Sequence, residues 1–172
     1  GHQQVIRQAV SDAHQLEASS LCVPFDKHPS TVISPERAPL LIQSLDQRLE
    51  AIRALSVDAT LVLPFDEAMS QIPAEAFIQG LAIDIGRISS ICVGAQFAFG
   101  QGRKGNVELL HQLGQELHVV AHGTASVALD GQTVSSTRIR QEISGGQLDL
   151  AGQMLGREYA LAGKVIRGDQ RG

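Results

Sequence analysis

The chain has 172 residues, of which 43% are hydrophobic and 19% charged, with a net charge of −4 and a mean hydropathy of +0.02. That balance excludes a disordered charged tail and suits one globular domain with a sizeable core. No apolar run approaches the ~18 residues of a membrane span, and an acidic chain with 3% aromatics and no Trp has neither the basic footprint nor the stacking platforms of a nucleic-acid binder.

In chain order, Val5, Ile6, Ala9, Val10, Ala13 and Leu16 share one helical face, which predicts an amphipathic helix over residues 2–17. This helix opens the chain with no Met and no strand ahead of it, and further residues are expected before Gly1. Residues 20–25 form a short apolar run that predicts a strand. Pro29, Pro35 and Pro39 argue against regular structure over residues 27–41, so a long functional loop is expected there. Leu45, Leu49, Ile52 and Leu55 mark the next helix, with Asp46 in its first turn and Arg53 in its last, as the helix dipole favours. Residues 59–65 predict a buried strand, 73–85 a helix and 90–94 a second continuous apolar strand. The four glycines of the stretch from Gly94 through Gly105 predict a shaped loop. A helix on Val107, Leu110, Leu113 and Leu117 and a strand over 117–121 follow. Residues 127–134 predict a hairpin turning at Asp130-Gly131. Two short helices (135–144 and 147–155) and a last strand over 159–166 complete the reading.

Apolar strands alternating with helices predict an α/β fold with a parallel sheet covered on both faces. Ligands in such sheets bind beyond the carboxyl ends of the strands. Four segments qualify. Gly1-His2-Gln3 lies at a helix start, where free N–H groups and the dipole attract anions and a His adds a donor; taken alone, it reads as an ordinary exposed His. Ser135, Ser136 and Thr137 gather hydroxyls at another helix start, with Arg140 on the same face, a set suited to a polyphosphate; its plain reading is a capped helix with solvated arginines, Arg138 among them. Phe97 and Phe99, alternating after Gln96, either wall a planar ring or pack in the core. In Phe25-Asp26-Lys27-His28-Pro29, His28 is either a ligand contact or a solvated loop residue. Cys22 and Cys92 read as buried thiols of a reducing cytoplasm. No His/Cys/carboxylate cluster has metal-ligand spacing, so no protein-built metal site is expected. Neither a Ser–His–Asp set nor a Walker-type loop is recognisable.

Taken in order, G-H-Q, F-D-K-H-P, L-V-L-P-F-D, V-G-A-Q-F-A-F-G-Q-G-R-K-G-N, S-S-T-R-I-R and L-G-R-E-Y-A-L-A-G-K-V-I-R-G-D-Q-R-G resemble prokaryotic bifunctional riboflavin kinase/FAD synthetase over essentially the whole chain. The resemblance implies a Rossmann-like nucleotidyltransferase fold over residues 1–157, followed over 158–172 by the opening of a β-barrel kinase domain. It implies FMN adenylyltransferase activity: ATP and FMN, with Mg²⁺, give FAD and pyrophosphate. Gly1 and His2 match the end of the family's H-x-G-H motif, and Ser135, Ser136, Thr137 and Arg140 its S-S-T-x-I-R motif, both on the ATP side, with His2 and Arg140 implied in charge stabilisation. Phe25, His28 and Pro29 match the F-x-P-H-P loop, and Gln96, Phe97 and Phe99 the F-x-F-G region, implied near flavin or nucleotide.

Two positions depart from the family pattern. Lys27 stands where Pro is usual, and Gln96 where Asp or Asn is usual. The kinase signature G-R-x-x-G-x-P-T-A-N is not among these residues, so riboflavin phosphorylation is expected only of a longer parent. Two further readings stay open at this point: another adenylyltransferase of the superfamily, acting on nicotinate mononucleotide or phosphopantetheine, and a non-catalytic flavin- or nucleotide-binding module.

Overall fold

The computed structural model describes residues 1–168. Helix α1 (His2–Gln15) leads into β1 (Leu21–Cys22), and then into a loop carrying a single helical turn, α2 (Ser30–Ile33), and a 3₁₀ turn at Pro35–Arg37. The expectation of no regular structure over residues 27–41 is corrected in part by these turns. Pro29 and Pro35 stand at or just before a first helical position, where a missing N–H breaks no helical bond. Helix α3 (Leu45–Arg53) begins in a capping box: Ser44 Oγ accepts from the Gln47 amide at 3.2 Å, and Gln47 Oε1 accepts from the Ser44 amide at 3.0 Å. Strand β2 (Ala59–Thr60) then lies parallel to β1, in register Leu21↔Ala59.

The parallel pairing continues beyond these two-residue strands. Ala59, Leu61 and Leu63 donate to the carbonyls of Ser20, Cys22 and Pro24, and a bridge joins Phe25 to Leu63. Pro24 has no N–H to return, so the ladder is interrupted where the apolar pattern predicts a continuous strand. The predicted burial of residues 59–65 is corrected as well. Ala59, Thr60 and Leu61 are exposed, since among the described residues β2 pairs with β1 alone, while Phe65 is buried against Phe25.

A short α4 (Glu67–Ser70), capped by Asp66, has no counterpart in the sequence reading. Then come α5 (Ala74–Ile85), β3 (Ser90–Gly94), a 3₁₀ turn at Gln101–Arg103, α6 (Val107–Leu117) and β4 (Val120–Thr124). β4 lies parallel to β3 over all five residues, from Ser90↔Val120 to Gly94↔Thr124. The strand predicted over 117–121 starts three residues late, since His118 takes a left-handed conformation (φ 56°) to end α6. Antiparallel β5 (Ala128–Leu129) and β6 (Gln132–Thr133) form the expected hairpin. Asp130 (φ 54°) and Gly131 (φ 73°) supply the paired positive φ of a type I′ turn. Helices α7 (Ser136–Ser144) and α8 (Leu148–Leu155) pack on each other.

The fold is thus mixed α/β with two parallel pairs, β1–β2 and β3–β4. The core lies where α5 and α6 cover the second pair: Ala74, Ile78, Phe99, Leu110, Leu113 and Ala121 are buried together. Opposite them, α1 packs on β3 and β4. The strand expected over 159–166 is not formed. Residues 157–168 carry no regular structure, and Leu161, Val165 and Ile166 are exposed, since no described strand lies alongside to pair with them. Residues 169–172, the end of the segment compared with the kinase domain, lie outside the described residues.

Candidate functional site

Three elements meet beyond the carboxyl end of β1: the start of α1, the loop that leaves β1 and the first turn of α3. His2 stands at the first position of α1, exposed, after Gly1 at the cap. Crowding protein atoms disfavour its protonated form, as does the guanidinium of Arg48, and its pKa falls below the usual imidazole value. Arg48, from α3, donates through Nη2 to the carbonyls of Phe25 (2.5 Å) and Asp26 (3.0 Å). Asp26 in turn accepts at Oδ1 from the amides of Lys27 and Phe65, each at 2.8 Å. Those bonds, the one from Phe65 foremost, hold its carboxyl below the ordinary carboxylate range.

Two residues further on, His28 is half-buried, and its Nδ1 accepts from the Ser30 amide at 3.2 Å. Its pKa is lowered by burial first and then by the charge of Arg140, which brings α7 into the group. Arg140 Nε itself donates to the Leu40 carbonyl at 2.6 Å, tying α7 to the far end of the loop. Pro29 caps α2.

At the start of α7 the plain reading and the functional one divide between neighbours. Ser135 is the helix cap, with its Oγ accepting from the Arg138 amide at 3.2 Å. The hydroxyls of Ser136 and Thr137 have no hydrogen-bond partner in the fold among the described residues. Arg138 is not the solvated arginine expected. It donates at 3.2 Å to both the Leu129 and Gln132 carbonyls, bracing the hairpin against α7.

The glycine-rich loop shows a similar division. Phe99 is 7% exposed and Phe97 40%, and their rings stack with centroids 5.3 Å apart and planes 16° off parallel. Gln96 is exposed beside them. All five phenylalanines of the chain form one string: Phe65 against Phe25 (4.8 Å), Phe25 against Phe77 (6.4 Å), Phe77 against Phe99 (6.4 Å), then Phe97. The two loops singled out by sequence are therefore joined through a shared aromatic wall. Gly100 (φ 71°) lets the loop pass the Ala74 backbone, where an added Cβ would stand 2.5 Å from its Cα.

His2 and the 135–140 segment make no direct hydrogen bond with each other. Instead Gln3 Nε2 donates to the Leu155 carbonyl at 2.8 Å, linking the start of α1 to the end of α8. Arg48 was not singled out from sequence. Its signal was a cation in the first turn of a helix, where the dipole disfavours one.

A second polar cluster lies under α1. Asp12, 7% exposed, accepts from Gln8 Nε2 (2.7 Å), Ser90 Oγ (2.5 Å) and Cys92 Sγ (3.4 Å), with His122 Nε2 at 3.2 Å. Burial alone would raise its pKa, but these donors outweigh burial and hold it below the ordinary carboxylate value. The Cys92 thiol is pushed up to about 11, chiefly by burial. Both cysteines are free and half-buried rather than fully buried. No group of three or more His, Cys, Asp or Glu that could hold a metal gathers among the described residues. No described helix is long and apolar enough to cross a membrane.

Compared with known proteins, residues 1–138 match the family model described as FAD synthetase. Over its whole length the chain is 28% identical to a bifunctional riboflavin kinase/FMN adenylyltransferase of Haemophilus influenzae, covering 56% of that protein. It is 28% identical to the protein of the same description from Escherichia coli K12, covering 55% of it. A third, from Pseudomonas fluorescens, is 29% identical over 99% of the chain and 54% of that protein. The chain thus spans about half the length of these relatives. Among solved structures, one described as a macrolide-efflux protein from Streptococcus pneumoniae superposes with TM-score 0.77 at 23% identity, over 92% of this chain and 60% of that one. At that identity the likeness speaks for the fold alone.

Proposed function

The chain belongs to the FAD synthetase family, and from that premise we propose that it forms the FMN adenylyltransferase part of a protein that makes FAD from ATP and FMN. The observation that carries this reading is the meeting of His2, the Phe25–Pro29 loop and Arg140 at one end of the parallel strands. The family's motifs predict nucleotide and flavin contacts at those same residues. In this reading the fold is of the Rossmann-like nucleotidyltransferase type. Residues 1–157 are the adenylyltransferase unit, and 158–172 lead toward a riboflavin kinase domain. The protein works in the cytoplasm.

The chemistry is in-line attack. An FMN phosphate oxygen forms a bond to the α-phosphorus of ATP as the bond to the bridging oxygen breaks, and pyrophosphate leaves with that electron pair. No covalent enzyme intermediate is needed, so the chain's task is to align the two phosphates and offset developing charge. His2 at the start of α1, the free hydroxyls of Ser136 and Thr137, and Arg140 hold the triphosphate, with Gly1 and Ser135 shaping the two helix starts. Arg140 must exchange the Leu40 carbonyl for a phosphate oxygen, a stronger partner because it is charged. Phe25, His28, Pro29 and Gln96 line the flavin side. Phe97 offers an exposed ring face, and Phe99, buried beneath it, sets its position. The described residues offer no three-ligand cage, so the residues present fit Mg²⁺ only as ATP carries it, held by phosphate and water oxygens. So bound, the ion would neutralise charge on the phosphates.

The reading is tested by incubating the protein that carries this chain with ATP, Mg²⁺ and FMN, and following FAD and pyrophosphate by chromatography. Nicotinate mononucleotide and phosphopantetheine serve as parallel acceptors. FAD formation is expected. Turnover with another acceptor moves the assignment within the superfamily, and FMN binding without turnover makes this a non-catalytic flavin module.

A further inference from the structure

We infer that Arg48 is a positioning residue for the flavin side of the site: it orders the Phe25–Pro29 loop by holding the two carbonyls from which that loop departs. The inference rests on the function proposed above and adds a residue that none of the family's matched motifs includes.

Three observations carry it. First, Arg48 Nη2 donates to both the Phe25 and Asp26 carbonyls, at 2.5 and 3.0 Å. Among the described residues no backbone amide donates to either carbonyl, and a side chain from α3 supplies the donors instead. Second, the same stretch is secured from the other side. The Asp26 amide donates to the Leu63 carbonyl at 2.9 Å, and Asp26 Oδ1 accepts from the Phe65 amide at 2.8 Å. Arg48 and Asp26 thus fix one short segment between α3 and the stretch that follows β2. Third, the side chain is enclosed: Arg48 is half-buried and its Nε is shielded from solvent. A charged donor held this way orients its acceptors, the use to which supporting groups are put around binding sites. His2 feels its charge, so the segment is also referenced to the start of α1.

The test compares Arg48→Met, which keeps the apolar stem but removes every donor, and Arg48→Lys, which keeps a cation with three donors. Two readouts are taken on the protein that carries this chain. Amide exchange of Asp26, Lys27 and Phe65 should quicken at least tenfold in Arg48→Met while the Leu110 and Leu113 amides of α6 stay unchanged, and Arg48→Lys should restore most of the protection. FMN affinity, followed by flavin fluorescence, should weaken at least tenfold in Arg48→Met and recover in Arg48→Lys, with ATP affinity within twofold throughout. Unchanged exchange at Asp26 and Phe65 overturns the inference. Faster exchange with FMN affinity intact overturns its link to the flavin. If the wild-type protein binds no FMN, the proposed function fails, and the exchange readout alone decides whether Arg48 orders the loop.

Discussion

Gly105→Ala isolates the packing that shapes the aromatic wall. Gly105 pairs with Phe99 across a short antiparallel bridge, with the Phe99 amide donating to its carbonyl at 3.0 Å and its own amide returning a bond of 2.9 Å. An added Cβ would stand 2.7 Å from the Ala74 Cβ and 2.8 Å from both Cε1 and Cζ of Phe99. Carbon pairs prefer roughly 3.5–4.0 Å, so the ring must yield by about 1 Å. Its surroundings resist: Phe99 is buried between Phe77 and Phe97 in the core around Leu110. Gly105 does not sit in the left-handed region, so backbone strain adds nothing and the change reads packing alone. Overpacking of this kind destabilises by about 1–3 kcal/mol, which in a domain of this size lowers the melting temperature by roughly 2–12 °C. Urea denaturation of wild type, Gly105→Ala, Phe99→Leu and the double variant measures it. The smaller Leu relieves part of the clash, so the double variant should be more stable than the sum of the singles predicts, by about 0.5–2 kcal/mol. Because Phe97 stacks on Phe99, FMN affinity should fall in Gly105→Ala and recover in the double variant. A Gly105→Ala stability within about 0.5 kcal/mol of wild type, or strictly additive effects, refutes the reasoning.

Asp12→Ala should lower unfolding stability by about 1–3 kcal/mol, since it strands the Ser90 and Cys92 donors and the facing His122; equilibrium denaturation checks it. The folded pKa of Asp12 lies below its unfolded value, so its contribution is present above pH ~4 and is lost as pH falls through the folded pKa. His28, whose folded pKa is also lowered, favours the folded state above pH ~6.5 and loses that contribution on acidification toward its folded pKa. Denaturation curves from pH 7 to 3 should therefore weaken in two stages, with the upper stage, which His2 shares because its folded pKa is lowered too, reduced in His28→Gln and reduced further in the His2→Gln/His28→Gln double variant. Arg140→Ala should raise the ATP dissociation constant at least tenfold while far-ultraviolet circular dichroism is unchanged; unaltered ATP affinity would remove Arg140 from the phosphate site. Cys92, its thiol pKa raised to about 11, should react with iodoacetamide at pH 8 far more slowly in the native than in the urea-unfolded protein.

Much of this fold is legible in sequence because the signals are local and periodic. The 3.6-residue spacing of Val107, Leu110, Leu113 and Leu117 defines α6, and the unbroken apolar run at 90–94 defines β3 with the observed bounds. Asp130-Gly131 declares its turn through the φ values such residues tolerate. The misreadings share a different cause: they depend on neighbours. Residues 159–166 have strand-forming composition but no partner strand, and residues 59–61 look buried by composition yet sit at an exposed edge. Arg138 reads as solvated in sequence because nothing in its own segment reveals the hairpin carbonyls folded over it. The site divides the same way. His2, His28 and Arg140 are visible as motif residues, whereas Arg48 acts on carbonyls more than twenty positions away and only its contrary placement in the helix dipole hints at it. The five phenylalanines gave no hint that they form one wall.

The central claim is that the start of α1, the Phe25–Pro29 loop, the Gln96–Phe99 loop and the start of α7 make one site for FMN and ATP. Amide chemical-shift mapping of the ¹⁵N-labelled protein tests it most directly, titrating FMN and a non-hydrolysable ATP analogue separately and together. FMN should perturb residues 25–29 and 96–99, the ATP analogue should perturb residues 1–3 and 135–140, and both sets should change together in the ternary complex. Saturable shifts confined to any other surface, or ligand binding that leaves the His28 and Arg140 signals unmoved, would contradict it.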